Sequence, residues 1–140
     1  MARYEGRMLI VDTPMPSGYV YPKSVVEDAL KDFNERLKTG EVYGGFGDQD
    51  RMFIGSTPLK DITHKVNDIY VSNNGEVWGK IETVPTENGK IADKVISCCD
   101  LALRAVGKVN DDNTVTDLNI ISVDIVPGSS NEIIQNKDNV

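Results

Sequence analysis

The chain has 140 residues, close to the commonest size for one domain, with 39% hydrophobic and 26% charged residues; this argues against a multidomain enzyme and leaves room for one real core. With 22 acidic against 15 basic residues the formal charge is −7, so the field of the whole chain repels phosphate backbones and anionic lipid, and nucleic acid and membrane are poor partners. No apolar run approaches the ~18 residues needed to cross a bilayer.

Charges at Arg3, Glu5 and Arg7 occupy the place where a secretory signal needs its apolar stretch, and they predict an intracellular, unprocessed N-terminus. Valine and isoleucine supply 28 residues, a β-branched excess that favours a sheet-rich fold with few helices. Met8, Leu9, Ile10 and Val11 predict a first buried strand over 7–11, ending at Asp12. Thr13-Pro14-Met15-Pro16-Ser17-Gly18 cannot be regular structure. Beyond it, Val25, Val26, Ala29, Leu30, Phe33 and Leu37 recur at the spacing of an amphipathic helix of about four turns. Pro22 stands at its first turn and Gly40 just past its end.

Residues 41–47 are short and glycine-heavy, and Asp48-Gln49-Asp50-Arg51 reads as a loop. Residues 62–72 and 76–84 are β-prone runs joined by Asn73-Asn74-Gly75, and Asn74-Gly75 is the strongest hairpin signal in the chain. Asn88-Gly89 opens a second helix, with Ile91, Ala92, Val95 and Ile96 on one apolar face before Cys98 and Cys99. Residues 101–109 and 115–126 are strand-like, separated by the polar turn Asn110-Asp111-Asp112-Asn113. Pro127-Gly128-Ser129-Ser130 then leads into a polar end, so the expected division is one domain over 1–131 and a tail over 132–140. Strands that arrive in antiparallel pairs predict an α+β fold and exclude a doubly wound parallel sheet. A closed or nearly closed, mainly antiparallel β-barrel with two flanking helices fits best.

His64 is the sole histidine, so a zinc site would need Cys98, Cys99 and a carboxylate, in a spacing that matches no familiar zinc pattern. No metal and no cofactor are expected. Adjacent Cys98 and Cys99 can close only a strained ring, and reduced thiols are expected. His64 activating one of them as a thiolate is the reactive reading, and small apolar packing is the expected one. Asp48, Asp50 and Asp61 lack the alternating ligand pattern of a calcium loop and are expected as solvated carboxylates. Trp78 is expected as a packing anchor of the hairpin.

At Tyr21-Pro22-Lys23-Ser24-Val25-Val26-Glu27-Asp28-Ala29-Leu30 the chain resembles the prohead core proteases of tailed bacteriophages, serine proteases whose fold is similar to the herpesvirus assemblins. Glu5-Gly6 resembles the family's first-strand pair, and Ser17-Gly18-Tyr19-Val20-Tyr21-Pro22 a shortened form of its N-x-N-x-R-x-Y-P approach to the helix. Ile62-Thr63-His64-Lys65-Val66 resembles a strand signature separate from the catalytic loop, and Thr86-Glu87-Asn88-Gly89-Lys90 the second helix start. Val123-Asp124-Ile125-Val126-Pro127-Gly128-Ser129-Ser130 resembles the late V-D-x-V-x-x-P-S strand, so the likeness spans roughly residues 4–131.

The departures fall on the chemistry. Laid on Gly44-Gly45-Phe46-Gly47-Asp48-Gln49, the family's G-x-L-N-H-P segment puts Asp48 at the general-base histidine. Laid on residues 101–107, its V-S-S-R-G-x-G turn keeps Arg104 and Gly107 but puts Ala102 and Leu103 at the two serines, one of which is the nucleophile. Alanine has no oxygen to attack an amide, and an oxyanion hole cannot start the attack. The resemblance therefore implies an inactive member with no catalytic residues. Its expected role is that of a structural virion protein, a capsid decoration, cement or minor capsid protein. Its expected partners are the major capsid protein or other head proteins, with self-association as an option, and its expected place is the phage capsid, assembled in the bacterial host cytoplasm. Alternatives are an active maturation protease using Ser97 or Cys99, and an internal scaffold or protease-partner subunit; Arg104, without catalysis, is expected to pair with a nearby carboxylate.

Overall fold

The computed structural model describes residues 2–47, 57–128 and 132–136. Its elements in chain order are β1 (Arg3–Ile10), α1 (Lys23–Thr39), β2 (Val42–Gly44), β3 (His64–Val71), β4 (Glu76–Thr83), α2 (Glu87–Val95), β5 (Cys99–Val109), β6 (Val115–Pro127) and β7 (Ile133–Asn136). Single 3-10 turns lie at Leu59–Asp61 and Ile96–Cys98. No helix of the described residues is long and apolar enough to cross a membrane.

The strands form two antiparallel sheets, one ordered β2-β3-β4-β1-β7 and one made of β5 and β6. This α+β arrangement is antiparallel as expected, but the described strands do not close into a barrel. The two sheets are tied at one side by a parallel bridge between Phe46 and Ile125, with Gly47 N–H on Ile125 O at 2.8 Å and Ile125 N–H on Gly45 O at 3.0 Å. On the other side, among the described residues, β7 pairs with β1 from Arg3 to Gly6 and no ladder joins β1 to β5.

Residues 133–136, assigned from sequence to a polar tail beginning at 132, are thus the fifth strand of the larger sheet. β1 also begins earlier than its apolar run, at Arg3, because its outward residues Arg3, Glu5 and Arg7 are charged while Tyr4 and Leu9 are buried.

Helix α1 buries Val26, Ala29, Leu30 and Phe33 against β6 and β3; complete burial of side chains such as Val26 and Phe33 stabilises by about 1.5–3 kcal/mol each. Pro22 is the residue before the helix, and the carboxylate of Asp12 accepts the first helical N–H, that of Lys23, at 3.1 Å. That oxygen satisfies one orphan donor from a distant segment. Gly40 ends the helix in an extended conformation, φ −176°.

The β3–β4 hairpin turns at Asn73-Asn74-Gly75. Gly75 N–H bonds to Ser72 O at 3.0 Å, Ser72 N–H to Glu76 O at 2.8 Å, and Gly75 has φ +78°. A three-residue loop closed by a left-handed glycine therefore replaces the two-residue Asn-Gly form. On β4 the buried positions are Val77, Gly79, Ile81 and Thr83. Trp78 falls between them on the outer face, opposite Arg7 and Tyr70. It is half-buried there. Helix α2 is capped by Thr86, whose hydroxyl accepts Gly89 N–H at 3.3 Å.

Candidate functional site

In an antiparallel pair, alternate residues and their cross-strand partners share a face. Ala102 lies opposite Asp124 and Arg104 opposite Ser122, so these four residues occupy one face of the β5–β6 ribbon. A register shift directly after Arg104 bends the ribbon there. Arg104 reaches diagonally to Asp124, with Nε 2.9 Å from Oδ2 and Nη2 on Oδ1. Both residues are buried, at 3% and 6% exposure. Such a two-pronged pair is directional, and in a dry setting it must be well bonded to offset the loss of water.

The bonding extends to the crossing segment. Asp124 Oδ1 accepts Gly45 N–H at 3.3 Å, and Arg104 Nη2 donates to Thr57 Oγ1 at 2.7 Å. Thr57 and Ser122 both donate to Tyr43 O, at 3.0 and 2.8 Å, so the Ser122 hydroxyl is committed to a backbone carbonyl. Beside the pair opens a cleft of about 590 Å3, walled by Phe46, Gly47, Pro58, Lys60 and Asp61 with Arg104 and Asp124 in its lining.

His64, at the start of β3, is completely buried. Its Nε2 lies 2.7 Å from Val123 O and its Nδ1 2.7 Å from Thr63 Oγ1. A carbonyl can only accept, so the proton sits on Nε2 and the Thr63 hydroxyl donates to Nδ1. Burial pulls its pKa down to about 4; the Val123 bond and Asp124 oppose this, and Arg104 adds to it. The ring is neutral, with both nitrogens occupied. It also explains Gly44: a β-carbon there would stand 2.0 Å from Val123 O and 2.4 Å from His64 Nε2.

The sequence candidates are thus partly gathered. Ala102 and Leu103 line a second cleft, of about 560 Å3, between β5 and β1. Gly107 lies farther along, on the exposed part of β5. Asp48 and Asp50 fall outside the described residues; Gly47, the neighbour of Asp48 in the chain, hydrogen-bonds beside Asp124. Asp61 faces the first cleft, and among the described residues no group of three His, Cys, Asp or Glu side chains could hold a metal. Cys98 is exposed, while the half-buried Cys99 thiol donates to Val95 O at 3.3 Å and is pushed up in pKa, first by burial and then by Cys98 and Asp100. With His64 bonded to Thr63 and Val123, no imidazole is left to activate either thiol.

Asp124 is the residue that sequence reasoning undervalued. Its signal was a single carboxylate inside the apolar run Val123-Asp124-Ile125-Val126, a place where a charge needs a partner.

No family model matches the sequence, and no curated protein does. Among solved structures the fold matches that of a phage capsid assembly protease. The bacteriophage T4 capsid assembly protease gp21 superimposes with a TM-score of 0.75 at 23% identity, over 89% of this chain and 82% of that one. The chain therefore has a prohead-protease-like fold, and at this identity the likeness is one of fold.

Proposed function

We propose that this chain is a non-proteolytic member of the prohead-protease fold that serves as a structural protein of a phage head, decorating or cementing the shell or acting as a minor capsid protein. The observation that carries the reading is the pairing of Ala102 with Asp124. By resemblance Ala102 and Leu103 stand at two serines, one of them the nucleophile, and neither side chain carries an oxygen; Ala102 lies beside a buried ion pair. Loss of the nucleophile or base of such a unit costs about a million-fold in turnover. His64, sealed by Val123 and Thr63, supplies no substitute base, which speaks against the protease alternative through Ser97 or Cys99. Asp124 likewise spends its carboxylate on Arg104 and Gly45.

What remains useful is a small domain with a net charge of −7. A single domain of this size holds a shell firmly through several weak contacts acting together, with the major capsid protein or other head proteins as partners. Binding should then depend on assembled geometry. Cosedimentation with expanded heads, set beside binding to free capsid subunits, tests the reading. Much tighter binding to heads is expected; equal affinity, or no association with heads, would shift the weight to a scaffold or protease-partner role.

A further inference from the structure

The chain has two Asn-Gly pairs, Asn74-Gly75 in the β3–β4 turn and Asn88-Gly89 in the first turn of α2. A glycine after asparagine has no β-carbon to crowd its own nitrogen, so that nitrogen can close on the asparagine carboxamide to form a cyclic imide. The fold treats the two pairs differently.

Asn88 is held at both ends of that reaction. Its Nδ2 donates to Lys60 O at 2.6 Å, and Gly89 N–H donates to Thr86 Oγ1 at 3.3 Å. Gly89 is buried, and a β-carbon built on it would stand 1.8 Å from Val84 O. The Asn88 carboxamide cannot turn onto the Gly89 nitrogen without giving up its tie to Lys60 and the cap of α2. Asn74 is exposed at the hairpin tip, and its carboxamide has no hydrogen-bond partner among the described residues. The Gly75 N–H makes one bond, to Ser72 O at 3.0 Å, within a turn that can open locally while the rest of the fold stays intact.

We propose that Asn74 is a site of spontaneous deamidation, and that its isoaspartate product opens the β3–β4 turn. Hydroxide takes the Gly75 amide proton, the nitrogen bonds to Asn74 Cγ, and the Cγ–Nδ2 bond breaks, Nδ2 leaving as ammonia with a proton from water. Water then opens the imide. Opening at Cγ gives aspartate on an unchanged main chain. Opening at the main-chain carbonyl gives isoaspartate, whose backbone runs through Cγ and is longer by one carbon–carbon bond, ~1.5 Å. That extra atom enters the ring closed by Gly75 N–H on Ser72 O, and the closure is lost. Gly75 also holds the end of β1, its carbonyl accepting Val11 N–H at 2.8 Å, so the opened turn loosens that end as well.

The reaction needs only water and hydroxide, and it is independent of any place in a phage head. The folded chain is kept in mildly alkaline buffer and sampled over days for peptide mapping by mass spectrometry, isoaspartate being scored with an isoaspartyl methyltransferase; the same chain in urea is the reference. In the folded chain Asn74 should be modified about tenfold or more faster than Asn88, and in urea the two rates should converge. By NMR the isoaspartate form should lose exchange protection at Gly75 and Val11, while Asn74→Asp keeps it. Equal rates at Asn74 and Asn88 in the folded chain would overturn the proposal, as would a ratio unchanged by urea. So would an Asn74 that survives in the folded chain while it is consumed in urea, or an isoaspartate form with Gly75 and Val11 protected as in the parent.

Discussion

Arg104 and Asp124, 20 residues apart in sequence, meet in a buried ion pair with Nε 2.9 Å from Oδ2, and the same carboxylate holds the Gly45 amide of the segment that bridges the two sheets. One side chain of β6 thus fixes both its partner strand and the 45–47 crossing. Removing Asp124 takes the two-pronged carboxylate from a buried guanidinium. Asp124→Ala should therefore cost about 3–5 kcal/mol. The joint replacement Arg104→Met with Asp124→Leu should cost less, because no charge is stranded. Denaturant unfolding of the three proteins measures this; equal losses in the single and double variants would assign the pair no electrostatic role.

His64 makes stability depend on pH in a definite direction. Its folded pKa of about 4 lies below the ordinary value near 6.5, so between these two the unfolded chain binds the proton and the folded chain does not. The contribution of neutral His64 is fully present above about pH 6.5, is lost as pH falls, and levels off below about pH 4. The loss is on the order of 3 kcal/mol. His64→Gln keeps a donor for Val123 and removes the titration. Unfolding free energies from pH 7 to 5 should fall in the parent chain and stay flatter in the variant; parallel curves would contradict the assignment.

How much of this was legible in the sequence follows from the range of each interaction. The β3–β4 hairpin and α1 were readable because turn chemistry and apolar spacing are local, and Gly75 and Val26-Ala29-Leu30-Phe33 carry them within a few residues. β7 was not, since Ile133 and Ile134 sit among polar residues and become a strand only by pairing with Glu5 and Gly6 at the other end of the chain. The face of Trp78 was set by alternation on β4, which puts it outside, opposite Arg7. The Arg104–Asp124 pair needed the β5–β6 register, and Asp124 alone hinted at it.

The site should resist simple repair. Asp48→His with Ala102→Ser returns both residue types that the resemblance calls for, yet useful catalysis requires positions correct to about half an ångström, and Asp124 is already engaged by Arg104 and Gly45. No cleavage of capsid or scaffold proteins is expected from this double variant by gel assay. Efficient cleavage would mean that the cleft had stayed preorganised for proteolysis.

The central claim, a structural rather than proteolytic role in a phage head, is met most directly by an electron cryo-microscopy reconstruction of the mature particle. Ordered density for the two-sheet domain, with α1 across β3 and β6, is expected on the shell in contact with capsid subunits. A mature shell lacking that density, with the chain found only in immature particles beside cleaved scaffold, would contradict it.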